Sequence, residues 1–203
     1  RVTEEILELL RRGMALESMH LMEETGLLVP LLPELAQLID SGEGEYLWKM
    51  LEVLDRTILS GRQVGDVVLL SVILVPLVFG AIDRREAELG ERLPPGEVVP
   101  FIRDNLEAIL ERLVMPAWMR HEVEQNLELV WRMREAPTER KRDWRIVMRE
   151  RFQDALALYE LYSFSSGLYI EEFRQWRELA RRVKASQEKM KKPKRRRKRR
   201  PRK

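Results

Sequence analysis

The run "VVLLSVILVPLVFGAI", Val67 to Ile82, limits this chain more than any other stretch. It is sixteen residues long and lies between Asp66 and Asp83. A membrane-spanning helix needs about 20 apolar residues, and this run falls short. Ser71, Pro76 and Gly80 also interrupt it. The expectation is a core helix with no membrane contact. Asp66 is placed to cap it, and Pro76 is expected to kink or split it. A helix that is apolar on every side has to be wrapped by neighbours that are apolar on one side only.

Such neighbours recur along the chain. "TEEILELLRR" puts Ile6, Leu9 and Leu10 on one face, with Thr3 as N-cap. In the next segment Leu16, Met19 and Met22 form the stripe, and Gly26 suits the stop. Leu47, Met50, Leu51, Leu54 and Ile58 make a strong amphipathic stripe. "GERLPPGEVVP", Gly90 to Pro100, reads as a loop. Pro116 stands where a helix-starting proline belongs. "APTERKRD" reads as a second break. The last two helices, "WRIVMRERFQDALALYELYSF" and "YIEEFRQWRELARRVKAS", hinge at Ser165–Ser166–Gly167. In the final helix Phe173, Trp176, Ala180 and Val183 form the packing stripe. No hairpin signal and no fixed-length repeat interrupts this pattern. The fold class is all-α, a compact domain of about eight to ten helices. Residues 1–90 are expected to form its first part. Residues 91–187 form an Arg-rich part packed with the first as one unit, and residues 188–203 form a disordered basic tail.

The formal charge of +3 hides an asymmetry. Residues 189–203 hold 12 of the 37 basic side chains, and all 34 acidic ones precede them. The body therefore carries 25 basic against 34 acidic residues, and the end of the chain carries +12. An acidic body with a basic arm suits a protein that holds a polyanion or an acidic partner by its end. Lys194, Arg195, Arg196, Arg197, Lys198, Arg199 and Arg200 are the densest part of that arm. They would bind phosphates without reading sequence.

Cysteine is absent and the two histidines are far apart, so a zinc site is not expected. His20 reads as a packed core residue and His121 as a surface one. No phosphate-binding glycine loop, His-Glu-x-x-His or Gly-x-Ser-x-Gly motif occurs, and no two aspartates are spaced Asp-x-Asp. The residues alone name no catalytic group and no bound cofactor. The chain starts at Arg1 and reads as a piece of a longer protein.

Four stretches, taken in order, resemble a known family. They are "RVTEEILELLRRGMALESMHLMEETGLLVPLLPEL" (1–35), "LEVLDRTILSGRQV" (51–64), "MPAWMRHEVEQNLELVWRM" (115–133) and "RFQDALALYELYSFSSG" (151–167). Together they are similar to the C-terminal half of bacterial poly(A) polymerases, in the class II nucleotidyltransferase superfamily that includes the CCA-adding tRNA enzymes. The resemblance covers most of residues 1–180, and the first stretch carries most of it. Gln153 and Tyr162 stand where the family favours Arg, so RNA contacts are not carried over to them.

The resemblance implies that this is the end of the neck, the body and the tail of an enzyme that transfers AMP from ATP to an RNA 3′-hydroxyl. Mg²⁺ and ATP would belong to an absent head domain, and the piece alone would be inactive. RNA 3′ ends are the implied partner, with RNA-decay proteins as further partners. The protein would be a monomer in a bacterial cytoplasm. Arg1, Glu4 and Glu5 would pair structurally and support the neck.

RNA needs a local basic face on an acidic body. The segment from Arg132 to Arg151 offers Arg132, Arg134, Arg140, Lys141, Arg142, Arg145, Arg149 and Arg151 against four acids, with Trp131 and Trp144 available to stack a base. Arg174, Arg177 and Arg181 share one face of the last helix. Other readings stay open. One is a CCA-adding enzyme. Another is a non-enzymatic helical module whose arm binds an acidic protein, anionic lipid or DNA. "PKRRRKR" would also serve nuclear import in a eukaryote.

Overall fold

The computed structural model describes residues 2–138 and 140–191. Their regular structure is wholly helical, in eleven helices. These are α1 (Val2–Arg11), α2 (Ala15–Glu24), α3 (Leu28–Leu31), α4 (Pro33–Asp40), α5 (Glu45–Leu59), α6 (Asp66–Leu89), α7 (Pro95–Arg112), α8 (Ala117–Met133), α9 (Lys141–Val147), α10 (Phe152–Ser166) and α11 (Ile170–Lys191). The short α3 and α9 take the number past the expected eight to ten. The basic tail from Lys194 to Arg200 lies outside the described residues.

Helix α6 is the axis of the fold. It packs against α1, α5, α7, α8 and α10. Thirteen of its residues are buried, among them Leu69, Leu70, Ile73, Leu74, Val75, Val78, Phe79 and Ile82. It runs to 24 residues, longer than the apolar run that starts it, so it is long and apolar enough to cross a bilayer. In this fold most of its apolar stretch is buried against other helices. Pro76 does not split it. An interior proline costs about 3 kcal/mol, while each large apolar side chain buried here is worth roughly 1.5–3 kcal/mol. Packing on every side outweighs the lost backbone bond.

The stripes of α5 and α11 dock as their spacing predicts, and that of α1 takes Leu7 in place of Leu9. Leu47, Met50, Leu51 and Leu54 of α5 are fully buried. In α11 Phe173, Trp176, Leu179 and Val183 are buried and Ala180 is half-buried. In α1 the buried set is Ile6, Leu7 and Leu10, and Leu9 is partly exposed.

Helix ends account for most of the other departures from expectation. Thr3 is inside α1 and caps nothing: its hydroxyl donates to the Leu113 carbonyl at 2.6 Å, pinning α1 to the end of α7. Asp66 is the first residue of α6 and makes no cap bond; it pairs with Arg11 at 2.9 Å. The cap of α2 comes from another helix. Asp55 of α5 accepts from the Ala15 and Leu16 amides at 2.8 and 3.0 Å. The Pro-rich loop is shorter than expected: Pro95 starts α7 and Pro100 lies in its first two turns. Pro95 fits the first position, whose amide has no partner inside the helix, while Pro100 gives up one bond to the Gly96 carbonyl.

His20 is not in the core. It lies on the surface, stacked on Trp48 with ring centroids 4.1 Å apart and its Nδ1 3.5 Å from Glu23. It is one residue beyond Met19, which takes the buried position. His121 is exposed, as expected. Gly26 follows the end of α2 with φ +74°, and Gly167 ends α10 with φ +72°, where the stop and the hinge were expected.

Candidate nucleic-acid interface

The Arg-rich segment divides into cations that hold the fold and cations that face outward. The break expected at "APTERKRD" ends early. Asp143, 1% exposed, accepts from the Thr138 amide at 2.7 Å, the Thr138 hydroxyl at 2.9 Å and the Arg140 amide at 3.3 Å. This ties the loop into the first turn of α9. Residues 144–164, expected as one helix, are divided by a turn at residues 148–151. That turn carries Arg149 to Glu128 at 2.9 Å and Arg151 to Glu122.

Buried carboxylates on α8 collect the structural arginines. Glu128, 5% exposed, holds Arg132 on its own helix and Arg149 from the turn. Glu124, 6% exposed, takes Arg103 of α7 at 2.9 Å. Burying a carboxylate is costly unless it is paired and hydrogen-bonded, as both of these are. Arg132 and Arg149 are therefore committed to α8.

Arg134 is withdrawn further. Its side chain is 9% exposed. It donates to Asp83 at 2.6 Å and to the Tyr169 hydroxyl at 2.7 Å, with its guanidinium 4.9 Å from the Tyr169 ring centroid. Burial works against the charge, but the Asp83 carboxylate and the Tyr169 hydroxyl outweigh it and hold the guanidinium above its ordinary pKa. Burial also pushes the Tyr162 phenol up, so it stays neutral. Arg134 is a core cation, out of reach of a phosphate.

The outward group lies on α9. Lys141, Trp144, Arg145 and Met148 follow one another at helical spacing and are all exposed, Trp144 at 38% and Met148 at 61%. The opposite face holds Asp143 and Ile146, both buried. Arg140, Lys141 and Arg145 make no ion pair among the described residues. Arg142 is 70% exposed and only loosely tied, 4.0 Å from Glu135 and 3.7 Å from Asp143. A cationic strip with a free indole is what a single strand needs, because guanidinium and ammonium groups meet phosphates while the ring stacks on a base. The two tryptophans thus part company. Trp131 is core, 3% exposed, with its N–H on Glu86 at 3.1 Å.

On α11, Arg174 pairs with Glu171 and Arg181 sits 3.7 Å from Glu178. Arg177 lies over the Phe173 ring at 5.1 Å. Exposed pairs of this kind are worth little and open easily. This face is a weaker candidate than α9.

Arg92 was not anticipated. It comes from the short loop before α7, stacks over Trp131 at 4.2 Å, donates to the Trp131 carbonyl at 2.9 Å and pairs with Glu135. Only its place next to "LPP" in a tight loop hinted at a fixed position. Tyr162, where the resembling family favours Arg, is buried in the core. Among the described residues no cluster of three or more His, Asp or Glu is placed to hold a metal ion.

Residues 1–39 match the family model described as the probable RNA and SrmB-binding site of polymerase A. They comprise α1 to α3 and nearly all of α4. The match supports a poly(A) polymerase C-terminal region. No curated protein matches the chain. The matched stretch has three Arg against seven Glu, so the cationic strip on α9 lies outside it.

Proposed function

We propose that this chain is the RNA-holding C-terminal part of a poly(A) polymerase, and that its body meets single-stranded RNA along α9. The observation that carries this reading is the exposed set Lys141, Trp144 and Arg145 on one helical face, in a chain whose other charged residues are mostly acidic or paired. The family match over residues 1–39 supports the parent activity. AMP transfer from ATP to an RNA 3′-hydroxyl, with pyrophosphate released, would belong to a head domain outside these 203 residues. Mg²⁺ and ATP would bind in that head. The basic tail retains RNA by counterion release and reads no bases. The protein works as a monomer in a bacterial cytoplasm, and RNA-decay proteins are candidate partners.

Binding of a labelled single-stranded RNA across a salt series tests this reading. Residues 1–188 are expected to keep measurable RNA binding at low salt, with the steepest part of the salt dependence lost along with the tail. If residues 1–188 bind no RNA, the reading fails. A strong preference for tRNA over unstructured RNA would turn it toward CCA addition.

A further inference from the structure

Beside α9 a cleft of about 210 Å³ opens between the α6–α7 loop, the end of α8, and α11. Its wall is built rather than incidental. The Trp131 indole is fixed by its bond to Glu86, and Glu86 also accepts from the Leu93 amide at 3.1 Å. The Trp176 N–H donates to the Glu135 carbonyl at 2.8 Å. Arg92, stacked on Trp131, closes one side. The remaining lining includes Pro94, Pro95, Ala136 and Ile146, and Arg142 stands at the mouth.

This lining does not suit a phosphate alone. Arg92 and Arg132 are already held by Glu135 and Glu128, which leaves only Arg142 loosely paired. It does suit a planar heteroaromatic group: proline rings, an indole edge and a stacked guanidinium offer flat apolar surface with polar atoms at the rim. Arg142 belongs both to the cleft and to α9, so a strand lying along α9 passes its mouth.

We propose that this cleft takes one unpaired nucleobase of the single-stranded RNA, with Arg142 on the adjacent phosphate. The proposal rests on the reading of α9 as the RNA face. It gives the body a contact that depends on the base, which the tail lacks.

The test uses the full 203-residue chain and fluorescence anisotropy with two labelled 12-mers, one an ordinary single-stranded RNA and one with the same backbone but abasic. Tail contacts are equal for both and cancel. Wild type is expected to prefer the intact strand through two base contacts, one at Trp144 and one in the cleft, each worth about five- to a hundredfold. Ala136→Trp fills the cleft and is expected to remove the cleft's share of that preference, leaving the share that Trp144 supplies. A preference that survives Ala136→Trp undiminished but disappears in Trp144→Ala overturns the cleft and leaves the α9 reading standing. Equal binding of both strands by wild type also overturns it. If Lys141→Ala/Arg145→Ala weakens neither strand, the α9 reading and the cleft fall together. A second readout needs no variant. With 4-thiouridine in the strand, crosslinks to residues 131–136 are expected, and crosslinks confined to residues 141–148 overturn the proposal.

Discussion

Glu34 and Arg112 meet through two parallel hydrogen bonds of 2.8 Å, joining the first turn of α4 to the last turn of α7. The Arg112 guanidinium holds the Glu34 carboxyl below its ordinary value of 4.5. A depressed carboxyl stabilises the fold above its unfolded pKa, and that stability is lost as pH falls through the folded one. Glu34→Gln is expected to lower stability by about 1 kcal/mol at pH 7, the upper end for a partly exposed pair. The difference from wild type is expected to shrink below pH 4.5 in urea titrations. A pH-independent difference would show that the ion pair is not its cause.

Asp55 caps α2 from across the interface with α5. Asp55→Ala leaves two amides at the start of α2 without their acceptor. The expected loss is about 1–2 kcal/mol, with Asp55→Asn losing less. Hydrogen exchange localises the effect: the Ala15 and Leu16 amides are expected to lose protection first.

Val114 is a β-branched residue at φ 53°. It sits just after α7 in a closed C-terminal motif, its amide on Glu111 at 2.9 Å and the Met115 amide on Leu110 at 3.1 Å. Glycine or asparagine normally fills that position. The side chain is 68% exposed, so little packing is lost on replacement. Val114→Asn is expected to raise the melting temperature by a few degrees, for a gain of about 1 kcal/mol. An unchanged or lower value would show that Val114 is not strained.

Asn126 is fully buried on α8 and donates to Ser71 Oγ at 3.2 Å, and Ser71 donates to the Val67 carbonyl at 2.6 Å. Ser71→Ala removes the acceptor. The expected cost is about 1–3 kcal/mol. Ser71→Ala/Asn126→Leu is expected to recover most of it in the same denaturant titrations, because it leaves no buried donor without an acceptor. No recovery would place the cost in packing.

The two classes of arginine separate in a paired measurement. Lys141→Ala/Arg145→Ala is expected to leave the melting temperature unchanged and to lower the slope of log affinity against log salt by about 0.7 per lost contact. Arg134→Met is expected to do the reverse. Removing one partner of a buried pair costs about 3–5 kcal/mol, but Asp83 is half-exposed and can rehydrate, so about 2 kcal/mol is expected here. A changed salt slope in Arg134→Met would contradict its core placement.

The helical class and the stripes of α5 and α11 were legible because period alone sets which face is buried. Leu47 and Val183 needed no tertiary knowledge. Thr3, Asp66 and Asp55 were not legible, because their partners are 110 residues away for Thr3, 55 for Asp66, and 40 and 39 for Asp55. Composition pointed to residues 132–151 as the basic segment. It could not divide Arg134 from Arg145, or Trp131 from Trp144, because that division is made by Asp83, Glu86 and Glu128 on other elements or other turns.

Helix α9 is held at both ends, by Asp143 on the loop before it and by Glu128 on Arg149 after it. Its exposed face is therefore shaped before any strand arrives, and docking there pays little for ordering the chain. On the proposed reading the tail and the helix would act on different clocks: charge on the tail would speed encounter, and the exposed indole and cations of α9 would set how long the complex lasts. Substitutions on α9 are expected to shorten residence time with little change in arrival rate, and salt is expected to slow arrival first.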